Sequence, residues 1–159
     1  MDAQVTIRKA TEKDIPAVVE LWEEHQEYHV ECDAYFERSK DAKSGFREYL
    51  EGNLEGLGLF VAEVNERKVG FVLGEVDRRP PCFAKREYGM IDDLGVTEEW
   101  RGRGIGHRLV ERMMVWFEEQ GIDRIEARVL VTNPLASTFW EKMGFTGYME
   151  SVYKDVRKR

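Results

Sequence analysis

Between Trp100 and Gly106 the chain reads WRGRGIG, and an apolar run, VERMMVWF, follows almost at once. Glycines let the backbone approach a ligand with no Cβ in the way. The first N–H groups of a helix have no intrahelical partner, and the helix dipole adds about half a positive charge at that end. Arg101 and Arg103 contribute permanent charge. Together these are the parts of an anion site, and phosphate or pyrophosphate is the anion that suits it. Two common phosphate motifs are absent. Counting from Gly102 puts His107 where a dinucleotide fingerprint needs its last glycine, counting from Gly104 puts Leu109 there, and no G-x-x-x-x-G-K-[ST] occurs. Other reactive side chains are sparse. His25 and His29 stand four apart, a spacing able to chelate metal on a helix. No H-E-x-x-H is present, so solvated or substrate-facing histidines are the simpler reading, and no metal is expected. Cys32 and Cys82 form no C-x-x-C pair and have no evident histidine partner, which argues against a zinc cluster, a disulfide framework and a thiol nucleophile.

The elements that must position the glycine stretch can be read from periodicity. Residues 5–10 alternate and predict an opening strand. Thr11 followed by Asp14 resembles a capping box, and Ile15, Val18, Val19 and Trp22 recur at helical spacing, so a first helix is expected to about His29. A second helix is expected from Ser44 to Leu50, ended by Gly52 and Asn53. The runs at 57–64 and 69–76, joined by NERK, predict a hairpin. A polar loop with Pro80 and Pro81 leads to a strand at 88–96, YGMIDDLGV. After the glycines, Leu109, Met113 and Trp116, flanked by Val110, Met114 and Phe117, give a helix from Ile105 to Gln120 a broad apolar face. IEARVLV at 125–131 alternates as a strand, which makes a βαβ unit with two parallel strands. A short helix from Leu135 to Met143 follows, with Gly144 at its C-terminal cap. One or two final strands are expected from Phe145 onward.

Composition bounds the answer. A chain of 159 residues suits a single domain, 1–159, and 42% hydrophobic residues supply a core. No apolar run approaches the ~18 residues of a membrane span. The start, MDAQVTIRKA, has no basic segment followed by an apolar one. With so few cysteines, these points lead to an expected cytoplasmic location with no membrane partner. The net charge of −7 disfavours nucleic acid as a partner. The charge is uneven: residues 11–37 hold nine carboxylates and one lysine, and residues 101–112 hold four arginines and one acid. The acidic block reads either as a solvated helix face or as a rim that attracts cationic substrates.

Two blocks carry a family resemblance. R101-G-R-G-I-G106 is similar to the R/Q-x-x-G-x-G/A signature of the GCN5-related N-acetyltransferases, and I91-D-D-L-G-V96 fits the strand before it. N133-P-L-A-S-T-F-W-E-K-M-G-F145 resembles that family's later N-x-x-A…E-K-x-G-F block. The resemblance implies an α/β fold, a mixed central sheet with helices on both faces, whose parallel strands splay at a cofactor cleft. It implies acetyl-CoA as acyl donor and a primary amine of a small molecule or peptide as acceptor. Backbone groups near Leu94, Gly95 and Val96 would pair with the pantetheine arm as an added strand does, and Gly95 would suit a bulge that opens the splay. Amides of Gly102, Arg103, Gly104, Ile105, Gly106 and His107 would hold the pyrophosphate beside Arg101, Asn133 would meet the pantetheine, and Lys142 would approach a phosphate. Asp92 corresponds to the carboxylate that polyamine-type members carry in I/L-E-D-F/L, one methylene shorter, and is the candidate base; a structural or substrate-binding carboxylate is the other reading. Strand alternation turns Asp92 and Asp93 to opposite faces and groups Asp92 with Leu94 and Val96. Many members place an acidic tyrosine where this chain has Trp140, whose indole offers only an N–H. Tyr148, water or no acid at all would then serve the leaving thiolate. Polyamines, amino acids, aminoglycosides and protein amines all remain open as acceptors, the acidic block favouring a cation. A non-catalytic acyl-CoA-binding module is the competing function, and exposed C-terminal strand edges are compatible with a homodimer.

Overall fold

The computed structural model describes residues 3–157. Strands β1 (Thr6–Lys9), β2 (Gly58–Val64), β3 (Arg67–Arg78), β4 (Glu87–Val96) and β5 (Ile125–Ala127) form one sheet in sequential order. The first three pairings are antiparallel, and β4 and β5 run parallel. Helices α1 (Ile15–Cys32), α2 (Ala42–Asn53) and α3 (Ile105–Glu119) accompany the sheet, and α4 (Pro134–Lys142) follows it. This is the expected mixed α/β sheet. The chain divides into two compact units, Met1–Arg128 and Val129–Arg159.

Alternation along the strands sorts the core into two layers. Leu59, Val61, Phe71 and Leu73 join Ile15, Val18 and Val19 of α1 and Leu50 of α2, all buried. On the other face, glycines leave room for α3. A Cβ at Gly58 would lie 2.7 Å from Trp116, and one at Gly89 would lie 2.7 Å from Phe117. Leu109, Met113 and Phe117 are fully buried, as the apolar face of α3 requires. Helix α1 starts from a polar anchor. Asp14, buried, accepts from Arg8 at 2.7 Å and from the Thr11 amide at 2.8 Å, while Lys68 lies 3.5 Å away. Burial of a carboxylate is tolerated because these donors surround it.

The hairpin turn is tighter than a four-residue NERK loop. Only Asn65 and Glu66 lie outside the strands, at φ 47° and 65°, the left-handed pair that a two-residue turn needs. Helix α2 also runs through Gly52 rather than ending there. Two expected strands change. The one at 125–131 shortens to β5, and among the described residues none forms over 145–157, where Tyr148, Met149, Val152, Tyr153 and Val156 are exposed. An alternating pattern makes a strand only where a neighbour supplies ladder partners. For β5 those partners end at Ile91.

Candidate acyl-transfer site

The site is built around the C-terminal half of β4. Its ladder with β5 covers only Gly89, Met90 and Ile91, so residues 92–96 have no β5 partner. On its other side, β4 changes register against β3 at the same place. Leu73 faces Asp93 and Gly74 faces Ile91, which leaves Asp92 as an extra residue in a bulge. The bulge is therefore at Asp92 and not at Gly95, which pairs in register with Phe71. Gly95 has another use: a Cβ there would lie 2.8 Å from the Phe71 ring and 3.3 Å from His25. The glycine lets α1 lie close on the strand.

The extra residue overturns the expected alternation. Asp93 accepts a hydrogen bond from Gln26 of α1 at 3.1 Å, and its carboxylate and that of Asp92 both act on Tyr49 of α2. Both carboxylates thus belong to the α1–α2 side of the sheet. Val96 lies on the opposite side, where it and Leu109 of α3 border Gly70, and Leu94 shares that side by alternation with Gly95. Asp92 does not share a face with Leu94 and Val96, because a bulge adds one residue to a period of two.

Crowding makes both carboxyl groups weak acids. Asp92 is raised to about 7 by loss of solvation, then by repulsion from Glu75 and Asp77, with Arg128 opposing. Asp93 is raised to about 7 by burial and then by Asp92, with the Gln26 hydrogen bond opposing. Glu75 accepts from the Tyr49 hydroxyl at 3.2 Å, and Asp77 from the Tyr88 hydroxyl at 3.0 Å. Burial, then His29 and Arg101, lower His25 to about 4, so it is neutral at pH 7. Its Nε2 is 3.9 Å from Asp93 Oδ1, too far for a hydrogen bond. His25 and His29 pack edge to face at 4.4 Å. Among the described residues, no group of three or more His, Cys, Asp or Glu is arranged to hold a metal ion. Trp22 stacks on Phe46 at 4.3 Å against the core.

Beyond β4 the chain makes a 3-10 turn at Glu98–Trp100 and passes through Gly102 and Gly104 at φ 74° and 79°. Those left-handed values are the reason for glycine here, since neither position is crowded. Gly104 caps α3 with no side-chain hydrogen bond, and the first turn contains no acid. The amides from Gly104 to His107 thus open a helix with no acceptor of its own, which fits a pyrophosphate. Both arginines of the turn have partners within the chain. Arg101 donates from Nε to the Val96 carbonyl at 2.9 Å, and its Nη2 lies 3.6 Å from Glu24 of α1. The guanidinium of Arg103 lies over the Trp100 ring at 4.5 Å. His107 pairs with Glu111 at 3.0 Å, and the Ile105 side chain is buried. Glu24 is a residue that sequence reasoning missed; its only signal was membership of the acidic block.

In the second unit, Asn133 caps α4, accepting from the Ala136 amide at 3.1 Å ahead of Pro134. Lys142 lies in the last turn, and Gly144 follows at φ 89°. Trp140 packs edge to face on Phe139 and Phe145. No helix among the described residues is long and apolar enough to cross a membrane.

A five-stranded mixed sheet with a bulged β4, followed by a left-handed glycine turn into α3, is the fold this chain shares with solved acetyltransferases. The chain belongs to the acetyltransferase (GNAT) family, whose model matches residues 17–145. It is 31% identical over 140 residues to an uncharacterized N-acetyltransferase of Methanocaldococcus jannaschii, covering 88% of this chain and 60% of that one. It is also 31% identical over 134 residues to an uncharacterized N-acetyltransferase of Archaeoglobus fulgidus, covering 84% and 88%. The chain thus spans little more than half of the first relative and most of the second. Among solved structures, a tetramutant of the Bacillus halodurans BH1408 protein is similar at TM-score 0.82 and 25% identity, over 95% of this chain and 99% of that one. A Clostridium acetobutylicum predicted acetyltransferase, solved with acetyl-CoA, shares the fold at TM-score 0.77 and 21% identity, over 96% and 97%.

Proposed function

We propose that this chain transfers the acetyl group of acetyl-CoA to a primary amine by direct attack. The observation that carries the reading is the coincidence, on one strand, of the end of the β4–β5 ladder with a bulge that presents two weakly acidic carboxyl groups, the second of them nine residues before Gly102. Acetyl-CoA supplies an activated acyl thioester, and the chain supplies position and proton transfer. Backbone groups near Leu94 and Gly95 on the edge that lacks a β5 partner accept the pantetheine arm as an added strand, beside the Val96 carbonyl that Arg101 holds, and an N–H group of this edge stabilises charge on the acyl oxygen. The amides of residues 102–107 hold the pyrophosphate.

An alkylammonium ion has a pKa near ~10.4 and cannot attack while protonated. Asp92, ionised above about pH 7, takes its proton directly or through water. The amine nitrogen then bonds to the acyl carbon as the carbon–sulfur bond breaks, the nitrogen gives a second proton to water to become the amide, and the thiolate leaves with the electron pair. No tyrosine stands at Trp140, so solvent returns the proton to sulfur. The acceptor is cationic, because Glu75, Asp77, Asp92 and Asp93 share the α1–α2 side of the sheet.

Thiol release from acetyl-CoA should be measured against a panel of polyamines, amino acids, an aminoglycoside and peptides. Amine-dependent release that falls about 10²–10⁴-fold in Asp92→Asn is the expected result. Acetyl-CoA binding with no release for any amine would favour an acyl-CoA-binding module instead.

A further inference from the structure

We infer that Glu24 is a positioning residue that locks the acyl-CoA turn onto helix α1. Three donors from the turn converge on this one carboxylate. The Thr97 hydroxyl donates at 3.1 Å, the Glu98 amide donates at 3.1 Å, and Arg101 Nη2 lies 3.6 Å away. Arg101 reaches Glu24 while its Nε holds the Val96 carbonyl, so one guanidinium ties the end of β4 to the helix. The Thr97 amide is fixed on the other side by the Val69 carbonyl. Within the Thr97–Arg101 segment just before Gly102, Arg67 donates to Glu99 at 3.1 Å, and Glu24 is the side chain that gathers Thr97, Glu98 and Arg101.

The neighbouring residues extend the grip. Gln26 donates to Asp93, and the His25 Cβ lies against Gly95. A single turn of α1 thus holds β4 at the carboxyl pair and holds the anion turn four residues later. Moving this turn of helix would shift the base and the donor-binding amides together. Hydrogen bonds to a charged acceptor are the stronger kind, and the two from Thr97 and Glu98, with the Arg101 ion pair beside them, fix direction as well as distance. The consequence for acetyl-CoA rests on the reading that residues 102–107 hold its pyrophosphate.

The test uses coenzyme A titrated calorimetrically into the full chain, with amide hydrogen exchange followed at Glu98 in the free protein. Glu24→Ala should weaken coenzyme A binding about tenfold and speed Glu98 exchange about tenfold, with KM for the amine unchanged. Glu24→Gln keeps an oxygen for the Glu98 amide and should restore affinity to within about threefold of the parent. Arg101→Ala, an exposed change, should weaken binding, and adding it to Glu24→Ala should cost little more, since both break one linkage. Unchanged Glu98 exchange in Glu24→Ala, or equal losses in the Ala and Gln variants, would overturn the clamp. If the parent chain fails to bind coenzyme A while Glu98 exchange still responds to Glu24, the pyrophosphate reading falls and the clamp on the turn stands.

Discussion

Asp92 and Asp93 illustrate how one inserted residue changes chemistry. Neighbours on a regular strand would part to opposite faces; the bulge keeps both carboxyl groups on the side of α1 and α2, where they repel each other. A raised carboxyl pKa means that ionisation costs more in the folded chain than in the unfolded one. For Asp93 the unfolded value is near ~3.9 and the folded value about 7. The native state binds this proton more tightly, so stability is retained in acid and lost as pH rises through that window. Asp93→Asn keeps an oxygen for Gln26 and removes the charge. Its urea midpoint should exceed the parent's by an amount that grows from about pH 4 to about pH 7 and then levels off. A pH-independent difference would show that burial and the neighbouring Asp92 do not raise the Asp93 carboxyl in the fold. Activity should follow the opposite sign: with Asp92 as base, kcat/KM falls as pH drops below about 7.

At the scale of elements, two glycines do different work. Gly104 is required for its left-handed φ of 79°, with open space around it. Gly104→Ala should cost about 1–2 kcal/mol of stability from backbone strain, and should weaken coenzyme A binding by tilting the first amides of α3. Gly95 has ordinary backbone geometry and is required for space. Gly95→Ala drives a methyl into Phe71 and should cost about 1–3 kcal/mol, read from denaturant midpoints, through overpacking. Combining Gly95→Ala with Phe71→Leu should recover part of that loss, whereas no shortened side chain should rescue Gly104→Ala. The strand, the turn and α1 act as a unit because glycine at each point lets neighbours approach or the chain reverse.

Across the whole molecule, a net charge of −7 coexists with four arginines in residues 101–112. The carboxylates of β3 and β4 gather on the α1–α2 side of the sheet, while the arginine-rich segment opens α3. A field of this kind draws a cationic amine toward the first and an anionic donor toward the second. Screening length falls from about 30 Å at 0.01 M salt to about 3 Å at 1 M. KM for a dication such as a short diamine should therefore rise several-fold over that range, and more steeply than for a monoamine of equal length. Equal salt dependence for the two amines would place the second charge outside the acidic patch. How much of this was legible beforehand depends on whether the information was local. The hairpin, the three large helices and the glycine turn were readable, since periodicity and glycine chemistry act within a few residues. The Asp92 bulge, the engagement of Arg101 by Glu24 and the shortening of β5 were not, since each depends on a partner distant in sequence.

The sequence by itself determined that a glycine-rich turn opens an amphipathic helix, because turn chemistry and apolar spacing are properties of the local chain. It also determined that two adjacent carboxyl groups precede that turn on a strand. Only the tertiary structure decided which way those groups point and how weakly acidic they are. Register against β3 sets the first, and burial beneath α1 with repulsion from Glu75 and Asp92 sets the second, both being pairwise effects between segments that meet only in the folded chain.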